Sequence, residues 1–204
     1  MIQRRGTLFV VSAPSGAGKT TLCREMRLRL PELAYSVSVT TRAPRPGEMD
    51  GADFRFVDES EFRAMLARGE FAEWATVHGN LYGTPARALE AALATGTDVL
   101  LDIDAQGAAQ LRTRYPEAVL VFVVAPSAAE LEQRLRERRA NNEEEIALRL
   151  RRAREEIALW RRYDYLIVNR DVKEAMEQLA SIIQAERCRT GRLGLSFPDL
   201  EVPK

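Results

Sequence analysis

The sequence predicts an α/β fold, with a buried parallel sheet flanked by helices and a more polar α+β lobe inserted after the first strand–helix unit. Three observations predict it. Four short apolar runs, at 8–11, 99–101, 119–124 and 165–168, lack alternation and are rich in β-branched residues, the pattern of strands buried on both faces. Helix-like stretches follow them. Residues 35–97 read differently, with alternating segments broken by turn residues.

Taken in order, the run at 8–11 leads through a Gly-rich loop into a helix over 20–30, which Pro31 ends. Residues 36–40 alternate like a half-exposed strand, and Pro44, Pro46, Gly47 and Gly51 mark turns. Further strands are expected at 54–57 and 71–77, and a turn at 79–85 carrying Tyr82 and Thr84. The run ending at Leu101 is followed by two carboxylates, Asp102 and Asp104. Ser127 with Glu130 is a capping box for a helix to about 139. Asn142 before Glu143, Glu144 and Glu145 opens the next helix. Its apolar stripe is Ile146, Leu150, Ala153, Ile157 and Trp160. A last helix is expected over 171–187, and the Gly- and Pro-containing tail from Thr190 is expected to be loose.

At 204 residues the chain is expected to form one domain. Its sub-lobes are 1–35, 98–126 and 163–189 as the core, 36–97 as the inserted lobe, 127–162 as a helical hairpin, and the tail 190–204. Thirty basic and thirty acidic residues give zero formal charge, which argues against a sequence-independent nucleic-acid binder. Twenty-seven of the thirty basic residues are Arg. Base composition explains such a bias, and so does bidentate anion binding; position has to decide. With Cys23 and Cys188 far apart and His78 the one histidine, no ordinary structural zinc site can be assembled. The cysteine usage points to a reducing cytosol. The longest apolar run, 118–125, is far short of a membrane span, and no targeting segment is visible, so a cytoplasmic protein with no membrane partner is expected.

The segment Ala13-Pro14-Ser15-Gly16-Ala17-Gly18-Lys19-Thr20 lies between a strand and a helix, the setting a phosphate-binding P-loop requires. Gly16 and Gly18 let backbone N–H groups close around phosphate oxygens. Lys19 can reach β- and γ-phosphates, and Thr20 can offer its hydroxyl to Mg²⁺. Ala13 stands where the strict pattern has Gly, and a residue before proline takes extended angles that Ala adopts freely. Further along, Arg42 and Arg45 flank Pro44 in a stiff segment suited to a phosphate monoester. Glu73 lies in an aromatic strand, where a carboxylate ordinarily faces solvent, yet it could accept from a guanine edge. Asp102 and Asp104 sit where ligands bind in α/β sheets, although Asp104 could simply cap a helix.

In their order along the chain, the P-loop, Thr40-Thr41-Arg42-Ala43-Pro44-Arg45-Pro46-Gly47-Glu48, Phe71-Ala72-Glu73-Trp74, Gly79-Asn80-Leu81-Tyr82-Gly83-Thr84, Leu101-Asp102-Ile103-Asp104-Ala105-Gln106-Gly107 and Ile167-Val168-Asn169 resemble the guanylate kinase family over residues 6–189. The resemblance implies a P-loop kinase core, a GMP-binding lobe at 36–97, a mobile lid at 127–162, and Mg²⁺-assisted phosphorylation of GMP, and of dGMP, by ATP. It implies that 13–21, including Ala17 and Thr21, bind ATP with Asn169 near the adenine. Ser38, Glu73, Thr84 and Asp104 would read guanine, and Arg42, Arg45 and Tyr82 would hold its phosphate, with Phe54 beside them. Asp102 would sit by Mg²⁺ and its waters, and Arg134, Arg138 and Arg149 would close over the ATP phosphates. Three positions depart from the family pattern: Phe54 replaces a phenol, Thr84 replaces Ser, and Arg170 replaces an acid. No residue here pairs as nucleophile and base, so direct in-line transfer is expected. Two other readings stand beside this one: a non-catalytic binding module of the same fold, and a P-loop kinase of another phosphorylated substrate. Oligomeric state is not legible.

Overall fold

The computed structural model describes residues 2–77, 79–137 and 143–195; His78, Arg138, the expected cap Asn142 and the tail 196–204 lie outside them. The chain runs β1 (Ile2–Gln3), β2 (Leu8–Ser12), α1 (Lys19–Arg29), β3 (Ala34–Tyr35), β4 (Ser38–Thr40), β5 (Phe54–Phe56), α2 (Glu59–Ala67), β6 (Phe71–Val77), β7 (Asn80–Pro85) and α3 (Ala86–Ala94). It continues through β8 (Val99–Asp102), α4 (Ala105–Arg114), β9 (Val119–Val124), α5 (Ala128–Glu137), α6 (Glu143–Ile157), β10 (Tyr165–Val168), α7 (Val172–Arg187) and β11 (Gly194–Leu195).

The four apolar runs become β2, β8, β9 and β10, which with the short β3 form an all-parallel sheet in the order β10-β9-β2-β8-β3. The absence of alternation in β2 now has its reason. Phe9 and Val11 pack with Leu22, Met26, Leu179 and Ile183 of α1 and α7. Leu8 and Val10 pack with Leu89, Leu93 and Leu111 of α3 and α4. Because β2 is central, its carboxyl end opens into the crevice where α/β sheets hold ligands. No helix among the described residues is long and apolar enough to cross a membrane.

A second, four-stranded mixed sheet has the order β5-β4-β7-β6. Helix α2 covers it, with Phe62 and Met65 packed on Val39 and Phe71 and the Phe62 and Phe71 rings stacked at 4.5 Å. Two expectations change here. Residues 80–85 form a strand rather than a turn, because their backbone pairs with β6 on one side and β4 on the other. Gly79, just before it, is a turn residue with φ 80°. Helix α3, grouped by sequence with the inserted lobe, packs on β6 and β7 and also buries Leu89 and Leu93 against the main sheet.

Ser127 caps α5 as expected, its hydroxyl oxygen accepting from the Glu130 N–H at 3.1 Å. The stripe of α6 packs through Leu150, Ala153 and Ile157 against Leu131 and Leu135. Residues 190–195 are not loose. They form a 3₁₀ turn at Thr190–Arg192 and the strand β11 paired with β1, anchored because Arg192 reaches the buried Glu186 at 2.9 Å.

Asp98, 2% exposed, ties the chain's ends to the sheet. It accepts both terminal nitrogens of Arg4 at 2.8 Å, the Thr7 N–H at 2.8 Å and Arg187 Nε at 2.7 Å. Burial alone would raise its carboxyl, but these donors override burial and hold it below the ordinary carboxylate range. Asp98→Ala leaves two guanidinium groups short of their acceptor and should lower unfolding free energy by about 3 kcal/mol, read as a drop in urea midpoint. The Asp98 contribution should be present above about pH 4 and be lost as pH falls through its depressed value.

Candidate active site

The phosphate loop leaves β2 at Ser12 and enters α1 at Lys19. Gly16 and Gly18 have φ 90° and 95°, angles that L side chains rarely adopt. Ala13, in the position the strict pattern gives to glycine, is 9% exposed and packs in the α1–α7 core, so its methyl group fills space. Asn169, at the end of β10 and 2% exposed, holds the loop from behind. Its Nδ2 donates to the Ala17 carbonyl at 2.8 Å, and a Cβ on Gly18 would stand 2.3 Å from that nitrogen. Its backbone carbonyl accepts from Arg134 at 3.0 Å. Its Oδ1 is buried with no partner, an acceptor left open beside the loop.

Lys19 Nζ bridges Asp102 Oδ1 at 2.6 Å and the Ile103 carbonyl at 2.8 Å. Burial pulls its pKa down, but Asp102 more than restores it, and the ammonium stands above its ordinary value. Thr20 is exposed at the mouth.

Across the cavity, Arg42 is held on several sides. It donates from Nε to Tyr82 Oη at 3.2 Å, from Nη1 to the Ala43 carbonyl at 2.7 Å and from Nη2 to Glu48 Oε1 at 2.9 Å. Its guanidinium also lies 5.3 Å from the Phe54 ring centre and 5.8 Å from that of Phe56. Three of its five N–H donors are engaged, which leaves two for a ligand. Glu48 stands in the sequence motif, but sequence reasoning gave it no role. Its second oxygen accepts the Arg45 backbone N–H at 2.7 Å, closing the turn between the two arginines. The bond from Arg42 draws its carboxyl below the ordinary range. Its place three residues after Arg45 was the available signal.

Glu73 overturns the expectation that a strand carboxylate faces water: it is 5% exposed. A bulge in β6 is the cause. Phe71 pairs with Pro85 and Glu73 with Thr84, so two steps on β6 match one on β7. Phe71 and Glu73 therefore point to opposite faces, one into the α2 core and the other into the cavity. Thr84 donates to Glu73 Oε1 at 2.5 Å. Burial lifts the Glu73 carboxyl to about 7, the Thr84 bond opposing and Asp104 adding to the shift. Asp104 does cap α4, its Oδ1 accepting the Gly107 N–H at 2.9 Å, and it lines the cavity as well. Glu156, also not foreseen, has its carboxyl lifted by burial to about 7.

One cavity of about 320 Å³ gathers Lys19, Thr20, Ser38, Arg42, Arg45, Phe54, Glu73, Tyr82, Asp102 and Asp104. Thr84 stands behind Glu73, fully buried. Arg134, Arg149 and Asn169 are outside the lining. Arg134 pairs with Glu130 and Arg149 with Glu145 on their own helices. Among the described residues no cluster of three or more acids, His or Cys could hold a metal. The donors near the loop are the Thr20 hydroxyl and the Asp102 carboxylate, hard oxygens of the kind Mg²⁺ accepts while keeping its waters.

A phosphate loop on a central parallel strand, facing a restrained arginine and a buried carboxylate across one cavity, defines a P-loop kinase of the nucleoside-monophosphate class. Residues 5–186 match the sequence pattern of the guanylate kinase family. The guanylate kinase of Geobacter metallireducens is 51% identical over 94% of this chain and 95% of its own length. That of Geobacter sulfurreducens is 52% identical with the same coverage. The crystal structure of guanylate kinase from Anaplasma phagocytophilum superposes with a TM-score of 0.80 at 36% identity, covering 95% of this chain and 92% of its own. The chain belongs to the guanylate kinase family.

Asn169→Ala should leave the Ala17 carbonyl without its donor and cost about 1–3 kcal/mol of stability. Thermal unfolding checks the size, and faster amide exchange confined to 16–20 checks the place.

Proposed function

We propose that this chain transfers the γ-phosphoryl group of ATP to GMP, and to dGMP, by direct in-line attack of a GMP phosphate oxygen. The observation that carries the reading is the single cavity with Lys19 on one wall and Arg42 and Glu73 on the other. In this reading residues 13–21 cradle the ATP phosphates with the unengaged N–H groups of the loop, at the positive end of α1. Lys19 exchanges Asp102 for phosphate oxygen and stabilises charge on the transferred group. Arg134, Arg138 and Arg149 add positive charge from the lid, and lid closure keeps out the water that would hydrolyse ATP. The open Oδ1 of Asn169 suits an adenine amino group. Arg42, Arg45 and Tyr82 hold the GMP phosphate, with the Phe54 ring supporting Arg42. Ser38, Glu73 and Asp104 face the base, and Thr84 fixes Glu73. Thr20 and Asp102, the latter through water, would hold Mg²⁺, which neutralises triphosphate charge when bound. We place the reaction in the cytosol, in keeping with the unpaired Cys23 and Cys188.

Guanine offers N1–H and the N2 amine, so the ionised form of Glu73 is the one that binds it. With its carboxyl at about 7, the wild-type KM for GMP should climb by about tenfold per pH unit below 7. Glu73→Gln should flatten that profile relative to wild type and reduce preference for GMP over AMP in an ADP-release assay by about 100-fold or more. Unchanged selectivity in this variant, or wild-type turnover of AMP equal to that of GMP, would sink the guanine assignment.

Phe54→Tyr adds a phenol beside Arg42 and should lower the KM for GMP by no more than one charged hydrogen bond, about 1.5–3 kcal/mol. An unchanged KM would mean that Arg42, Arg45 and Tyr82 already saturate the phosphate.

A further inference from the structure

We infer that Gly107 is a specificity-determining position, because the side chain it lacks is what allows Glu73 and Asp104 to face the same base. The inference rests on the guanine reading above. Gly107 is the third residue of α4 and is buried. Its N–H donates to Asp104 Oδ1 at 2.9 Å, which fixes one carboxylate. The other arrives from β6: a Cβ on Gly107 would stand 2.3 Å from Glu73 Oε2 and 3.0 Å from its Cδ. The first distance is inside any contact a carbon and an oxygen can make, so a methyl group here would force this carboxylate out of its present position.

The neighbours leave little room to yield. Thr84 holds the other Glu73 oxygen at 2.5 Å. The Ile103 side chain, 8% exposed, lies 3.2 Å from the same hypothetical Cβ. Helix geometry itself does not ask for glycine here. Gly107 is not among the glycines with positive φ, and alanine at a helical site is favoured by about 1 kcal/mol. The glycine therefore weakens α4 locally, and the approach of Glu73 is the feature that needs it. That approach also sets the carboxylate against the first turn of a helix, where negative charge is stabilised. Gly107 acts as a spacer between two acceptors and touches no reacting atom, so it is a positioning residue.

The test is a double-mutant cycle of wild type, Gly107→Ala, Glu73→Ala and the double variant, read by thermal unfolding and by steady-state kinetics. GMP is compared with inosine monophosphate, which lacks the 2-amino group. With Glu73 in place, Gly107→Ala should lower Tm and raise the KM for GMP by about tenfold or more, with kcat changed by less than about threefold. The KM for ATP should not move, and the preference for GMP over inosine monophosphate should shrink. In the Glu73→Ala background the same substitution should leave Tm unchanged or raise it, and should leave the KM for GMP where Glu73→Ala put it. Should Gly107→Ala fail to fold, folding of the double variant supports the contact, and failure of both overturns it. Equal effects in both backgrounds, or an unchanged KM and preference in Gly107→Ala, also overturn it. If Glu73→Ala alone leaves the preference intact, the guanine reading is what fails, and the Tm cycle still reports the contact separately.

Discussion

A loop that aims its backbone N–H groups at a ligand cannot satisfy them within itself, so it must be held from the opposite side. In this chain the Asn169 amide does that, through 2.8 Å to the Ala17 carbonyl. The rest of the structure is arranged so that this bond can exist. β10 must lie two strands from β2, in register with β9, to deliver Asn169 under the loop. Gly18 must lack a Cβ to admit the amide. Arg134 then closes on the Asn169 carbonyl, so α5 is joined to the phosphate loop through one residue.

The inserted lobe answers to a different demand, the burial of a carboxylate. The β6 bulge, the Thr84 hydroxyl and the first turn of α4 all converge on Glu73. None of these neutralises it with a cation, and burial accordingly dominates its titration. A carboxylate kept near its protonation point is available to a neutral donor edge in a way that an ion-paired one is not.

The parallel core was legible in the sequence because burial on both faces removes alternation, which is a local signal. The phosphate loop was legible because its glycines, lysine and threonine are contiguous. The arginines at 42 and 45 and the acids at 102 and 104 were legible as motif members. What escaped depended on distant pairing. Residues 80–85 look like a turn until two flanking strands engage their backbone. Helix α3 reveals its partner only through Leu89 and Leu93. Glu48 shows its purpose only when the turn brings it under Arg42. The segment 190–195 has the composition of a loose end, yet Arg192 meets a buried Glu186. Arg138 lies outside the described residues.

Two of the cations that face the cavity come with acceptors already attached: Lys19 with Asp102, Arg42 with Glu48. Lys19 and Arg42 thus have their charge partly balanced by a carboxylate before any ligand arrives. These two pairs contribute little long-range field. The counter-ions of Lys19 and Arg42 are thus built into the chain itself.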